Sequence, residues 1–181
     1  MSSWRSYESL IRQCYEHAQD SRDPSTQNAA VLAVDGIDGG AHPYYKTWAC
    51  NQLTRGIKET PEVWERPLKY KLVEHAERGA IYNAAREGIA TSTLTLICNW
   101  ALCADCARAV VCSGISKLVT HKQSYDHTAE GAQPMWADSY FTAYEMLAAA
   151  GVEVVMVDKF YGSNAFEGAL SVLYSGKEWQ P

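Results

Sequence analysis

Apolar residues Leu10, Ile11, Cys14 and Tyr15 recur at helical spacing and predict an amphipathic helix over 4–20. A short apolar run at 28–35 and a second at 44–51, separated by the Gly- and Pro-bearing turn 36–43, predict two neighbouring strands. The charged segment 52–72, broken by Pro61 and Pro67, predicts a long loop with room for one helical turn. From 73 onward Ala76, Ala80, Ile81, Ala84 and Ala85 share one helical face until Gly88 stops the run. Next come a strand at 93–98, a helix at 104–113 ended by Gly114, a short strand at 117–120 and a loop to Pro134. The remainder predicts a helix at 137–150 closed by Gly151, a strand at 152–158 and a last helix at 165–174. Strands alternating with helices imply an α/β sandwich about a mostly parallel central sheet, in one domain spanning 1–181.

Composition narrows the function. With 181 residues and 47% hydrophobic content the chain can bury one substantial core. A net charge of −5 disfavours a surface built to track a polynucleotide, although a few local cations suffice for a small anion. No apolar run approaches the roughly 20 residues that span a bilayer, and the opening MSSWRSYESL lacks the apolar core of a secretion signal, so a soluble cytoplasmic protein is expected. In that reducing compartment the six cysteines are not expected to form disulfides. Cys14, Cys50, Cys98 and Cys112 read as small core fillers, and only Cys103 and Cys106 stand close enough to act as a pair.

Chemistry concentrates in His75-Ala76-Glu77 on one predicted helix and Cys103-Ala104-Asp105-Cys106 at the start of the next. A helix start carries free N–H groups and partial positive charge, which favours thiolates at Cys103 and Cys106. Two thiolates and one imidazole make a tetrahedral zinc site with its fourth position left for water, the pattern of a catalytic centre. Glu77, two residues from the histidine, is placed to move the water's protons. Of the other histidines, His17 and His42 read as surface residues, while His121 and His127 are further candidates for substrate contact.

At these residues the sequence resembles the zinc-dependent cytidine and deoxycytidylate deaminases, whose signature is H-x-E followed by P-C-x-x-C. The likeness begins at Ser21-Arg22-Asp23-Pro24-Ser25-Thr26-Gln27, similar to an S-K-D-P-x-x-Q segment, and runs over 21–158 through Asn51, the HAE and CADC motifs, Cys112-Ser113-Gly114-Ile115 and Trp136. It implies the cytidine deaminase-like three-layer α/β/α sandwich with a five-stranded mixed sheet. It also implies a Zn2+ cofactor on His75, Cys103 and Cys106, Glu77 as proton shuttle, and hydrolytic conversion of dCMP to dUMP, with dCTP a second substrate. By the same resemblance Asn51 contacts the deoxyribose, and Ala76, Trp100, Ala101 and Leu102 line the base pocket. It further implies a homo-oligomer, as in hexameric relatives, activated by dCTP and inhibited by dTTP, with Mg2+ accompanying the regulatory triphosphate.

Three departures from the family pattern stand out: Leu102 replaces the proline before the first cysteine, Cys50 to Gly56 replaces a Y-N-G-x-P-x-G loop, and Gly79 stands where Asn is common. Local phosphate donors are Ser21, Arg22, Arg55 and Lys122; Tyr125 is a candidate to pack over the substrate, and Trp136 is expected on the core side of its helix. Two other classes stay open, deamination of cytidine or of a cytosine in a polynucleotide, and a non-catalytic zinc-containing nucleotide-binding regulator.

Overall fold

The computed structural model describes residues 4–34, 44–130, 134–157 and 171–180. The elements run α1 (Trp4–Ala18), β1 (Ala29–Val34), β2 (Tyr44–Cys50), β3 (Gln52–Leu53), a 3-10 turn (Pro61–Trp64), α2 (Lys69–Leu72), β4 (Val73–Glu74) and α3 (Ala76–Glu87). They continue as β5 (Thr95–Cys98), α4 (Ala104–Cys112), β6 (Lys117–His121), α5 (Lys122–Glu130), α6 (Pro134–Ala149), β7 (Glu153–Val157), β8 (Val172–Tyr174) and β9 (Lys177–Trp179). Five strands form one sheet in the order β2-β1-β5-β6-β7.

The two-residue period of β1 sorts the core into layers. Ala29, Val31 and Ala33 meet Tyr7, Leu10, Ile11, Cys14 and Tyr15 of α1 on one face. Ala30 and Leu32 point the other way, into a cluster shared with Ala80 and Ala84 of α3, Val110 of α4 and Ala143 and Leu147 of α6. The result is the three-layer α/β/α sandwich expected of the deaminase resemblance, with a five-stranded mixed sheet.

Four expectations are corrected. The sheet is less parallel than alternation implied: β1 pairs antiparallel with both β2 and β5, and only β5, β6 and β7 run parallel; the stretch of sequence between β1 and β2 is shorter than the roughly dozen residues a parallel crossover needs. The stretch expected as a loop before Pro134 contains α5, whose buried Ser124 and Thr128 each bond back to a preceding carbonyl. The end of the expected last helix is a strand, since Val172–Tyr174 pairs with Lys177–Trp179 across a Ser175-Gly176 turn. Cys112 is exposed, while Cys14, Cys50 and Cys98 are buried as expected. The turn 36–43, His42, and the beginning of the expected last helix at 165–170 lie outside the described residues.

Candidate active site

β5 ends at Cys98, and a short link leads from it to Cys103 at the head of α4. That link is pinned from both sides: Asn99 Oδ1 accepts the Ala29 N–H at 2.8 Å, the Trp100 carbonyl accepts from Thr120 Oγ1 and Cys98 Sγ at 3.2 Å each, and Trp100 Nε1 donates to the Gln27 carbonyl at 2.8 Å. His75 occupies the equivalent place ahead of α3, where β3–β4 pairing anchors the preceding residues. Both His75 and Cys103 have extended backbone and immediately precede their helices, so their side chains converge where two helix N-termini meet.

His75 Nδ1 lies 3.6 Å from Cys103 Sγ and 3.5 Å from Cys106 Sγ. The three donor atoms all fall within 4.8 Å of one another and can hold a metal ion. Ordinary Zn–N and Zn–S bonds at a tetrahedral angle would place nitrogen and sulfur about 3.6 Å apart, which both His75–cysteine distances match. The electrostatics agree. A hydrogen bond from Cys106 is the largest influence lowering Cys103 to about 4, while the same shared proton, with burial, raises Cys106 well above an ordinary thiol. Burial alone would lower His75, but its hydrogen bond to Cys103 and the adjoining negative charge outweigh that and the net direction is up. In the metal-free state the shared proton thus favours a thiolate at Cys103 and a thiol at Cys106.

Glu77, in the first turn of α3, is 1% exposed and borders the trio. Its Oε2 accepts from the Cys106 thiol at 3.3 Å and its Oε1 from Asn28 Nδ2 at 2.9 Å. Asn51 completes this corner. Its Oδ1 accepts the first N–H of α3, at Ala76, and its Nδ2 donates to the Thr26 carbonyl, each at 3.0 Å, while Ser21 Oγ donates to the Asn51 carbonyl at 2.7 Å.

These groups open onto a cavity of about 570 Å³, lined by His75, Glu77, Cys103, Asn28, Asn51, Trp100 and Ala101 at its chemical end. That volume lies within the range of small-molecule sites. Of the remaining predicted substrate contacts, Ala76 and Leu102 are buried in the core behind the wall. Ser21 is tied to the Asn51 backbone, Arg22 pairs with Glu59 at 2.8 Å, Arg55 is exposed, Lys122 pairs with Asp126 at 2.5 Å, and Tyr125 packs edge-on to Tyr144. None of these five lines the cavity. His121 is bonded to Tyr15 Oη at 2.7 Å within the sheet and α1 layer, and His17 stacks on Trp48 with ring centroids 3.9 Å apart. His127 packs among Trp100, Tyr174 and Trp179.

Trp136 is a correction: it packs on the core cluster, but it also faces the cavity, beside Tyr70 and Tyr140. Sequence reasoning also passed over Asn28, Arg66, the buried Lys69–Asp23 ion pair and the Tyr174 to Lys177 turn, all on the cavity wall. Asn28 carried a signal, an amide at the head of a buried strand, and Ser175-Gly176 between two short β-prone runs carried another. Lys69 carried none, because a lysine in a charged segment looks solvated.

Comparison with known proteins gives this arrangement its class, a deaminase. The chain belongs to the MafB19-like deaminase family, whose model matches residues 9–159. An uncharacterized deaminase from the luxG 3' region of Aliivibrio fischeri is 28% identical over 134 residues, 74% of this chain and 81% of that protein. The deoxycytidylate deaminase of Enterobacteria phage T2 is 38% identical over 93 residues, 51% of this chain and 43% of its own length. Among solved structures, the dCMP deaminase of cyanophage S-TIM5 in complex with dCMP and dUMP superposes with a TM-score of 0.59 at 18% identity, over 83% of this chain and 95% of that one. The deaminase/reductase of Thermotoga maritima that acts in diaminohydroxyphosphoribosylaminopyrimidine chemistry has the same fold in part, with a TM-score of 0.57 at 20% identity over 86% of this chain and 37% of that one.

Proposed function

We propose that this chain is a zinc-dependent deaminase that hydrolyses dCMP to dUMP and ammonia. The observation that carries the reading is the buried Glu77 carboxylate set beside a His-Cys-Cys trio at the bottom of a cavity sized for a nucleotide. The phage T2 relative named deoxycytidylate deaminase supports the substrate, as does the S-TIM5 enzyme seen with dCMP and dUMP.

His75, Cys103 and Cys106 would hold the zinc, which when bound lowers the pKa of a coordinated water from 15.7 towards about 7. Glu77 would carry the protons of the hydrolysis, the first to N3 of the cytosine ring as water adds at C4. A second transfer, to the exocyclic amine, lets the C4–N bond break, so dCMP and water become dUMP and ammonia. Asn28 holds one Glu77 oxygen and leaves the other to exchange protons. Trp100 and Ala101, on their pinned link, offer the wall against which the base lies, and Asn51 fixes the start of α3 while facing the cavity where a deoxyribose would sit. Turnover of dCTP, activation by dCTP, inhibition by dTTP, assembly into a homohexamer and a cytoplasmic site of action belong to the same proposal. Among the described residues no helix is long and apolar enough to cross a membrane.

The test is ammonia release from zinc-loaded protein given dCMP, deoxycytidine, dCTP, a cytosine-containing DNA strand and a phosphoribosylaminopyrimidine in parallel, with dCTP and dTTP as effectors and sedimentation for assembly. Turnover of dCMP that disappears in Glu77→Ala at unchanged zinc content is expected. Absence of dCMP turnover, or activity surviving in Glu77→Ala, would overturn the reading.

A further inference from the structure

Beyond the residues matched by the family model, β8 and β9 form a hairpin that walls the cavity. Its two-residue turn has both central residues at positive φ, Ser175 at 52° and Gly176 at 75°, as a tight turn compatible with strand twist requires. The hairpin is docked by backbone bonds, in the manner of an added strand. The Gln27 N–H donates to the Leu173 carbonyl at 2.8 Å, the Leu173 N–H to Gln27 Oε1 at 3.0 Å, and the Gly176 N–H to the Ser25 carbonyl at 2.8 Å. Directly opposed residues of an antiparallel pair share a face, so Val172, Trp179, Tyr174 and Lys177 all look the same way. That face is the inner one: Val172 is buried, Trp179 packs on Trp100 at 5.0 Å between centroids and Tyr174 at 4.8 Å. Lys177 is therefore carried on a braced arm to the cavity edge.

The charges lining this cavity are uneven. Asp23 is neutralised by Lys69 at 2.6 Å, and Glu77 is committed to Asn28 and Cys106 at the deep end. Lys177 and Arg66 line the same cavity, both exposed, and among the described residues neither is paired with a carboxylate. Two uncompensated cations on the wall of a cavity in a chain of net charge −5 mark an anion-binding rim.

We propose that Lys177 on the β8–β9 hairpin, with Arg66 from the segment before α2, is the phosphate-recognition pair that selects a nucleoside monophosphate over the free nucleoside. The proposal rests on the mononucleotide reading above. Its ligand chemistry is a phosphomonoester presented at the rim while the base reaches the His-Cys-Cys trio.

The experiment compares Lys177→Met, Arg66→Met and Lys177→Arg with the unsubstituted zinc-loaded protein, using dCMP and deoxycytidine as substrates and dUMP as a binding probe. Losing one charge-assisted hydrogen bond should raise KM for dCMP and Kd for dUMP about ten- to a hundredfold in either methionine variant. The kcat and KM for deoxycytidine should stay unchanged, and Lys177→Arg should retain most of the dCMP preference. Equal losses on both substrates, or no loss on either, would overturn the assignment of this pair while leaving dCMP as substrate. If the unsubstituted protein itself shows no preference for dCMP over deoxycytidine, the mononucleotide reading fails first, and circular dichroism of each variant separates both results from misfolding.

Discussion

Asn28 Nδ2 donates to Glu77 Oε1 at 2.9 Å, joining the residue just ahead of β1 to the acidic group of α3 across the floor of the cavity. The bond leaves Glu77 Oε2 facing Cys106 and the trio. In the proposed mechanism the carboxylate accepts and releases protons in sequence, which works only if it stays oriented, and this amide would supply the orientation.

Asn28→Ala should therefore lower kcat about ten- to a hundredfold, the range typical of residues that orient a metal site's working groups, with zinc content unchanged. Steady-state kinetics paired with metal analysis by atomic absorption checks this. A variant with full kcat would show that Glu77 is held by packing alone.

Metal uptake should release protons. Cys106 keeps its proton in the metal-free trio because the neighbouring Cys103 thiolate and burial raise it, and His75 is raised by the same thiolate. Ligation requires a thiolate and a neutral imidazole, so zinc must displace the Cys106 proton and whatever share of a second proton His75 carries. Between one and two protons per zinc, a rough count at neutral pH, should appear in weakly buffered solution. Affinity should weaken as pH falls, because protonation of these raised groups competes with the metal. Cys103, lowered to about 4, should add its own competition only in strongly acidic solution. Calorimetry in buffers of different ionisation enthalpy measures the proton count; none released would contradict the shared-proton arrangement.

The trio was legible because its chemistry is local in sequence: H-A-E and C-A-D-C each sit at a helix start, and helix starts can be read from one segment. Alternation along β1 likewise exposed both faces of the sheet. What escaped depends on contacts between distant segments. The reversed pairing of β1 with both neighbours depends on which distant strands meet it, which composition does not encode. Lys69 becomes a buried ion only because Asp23, far off in the chain, reaches it. Val172 to Tyr174 reads equally well as the end of a helix until Lys177 to Trp179 pairs with it. The expected phosphate donors Arg22 and Lys122 fell to nearby acids, Glu59 and Asp126.

Gly79 is explained by a close approach of α3 to β2. A Cβ there would stand 2.9 Å from Ala49 Cβ, a rigid neighbour on a strand. Gly79→Asn should lose about 1–3 kcal/mol from overpacking. Gly79→Ala should lose less, since alanine recovers roughly 1 kcal/mol of helix propensity. Adding Ala49→Gly should relieve the clash in either background. Urea denaturation checks the series, and a stable Gly79→Asn protein would mean that the helix can move away from the strand at little cost.

The Lys69–Asp23 pair should behave as a buried ion pair does, with a larger penalty for losing one member than for losing both. Lys69 Nζ meets Asp23 Oδ1 at 2.6 Å, and the two side chains are 8% and 2% exposed. Asp23 also accepts the N–H groups of Ser25 and Thr26 at 2.8 and 3.1 Å, so the pair fixes the turn leading towards Gln27 and the docked hairpin. Lys69→Met strands the carboxylate and should cost about 3 kcal/mol of stability. Asp23→Asn combined with Lys69→Met removes both charges and should recover a large part of that loss, which the two singles cannot do. Because the turn carries Gln27, Lys69→Met should also loosen the hairpin, speeding amide exchange at Leu173 and Gly176. Hydrogen exchange there, unchanged in Lys69→Met while global stability falls, would show that the pair supports the core but not the wall.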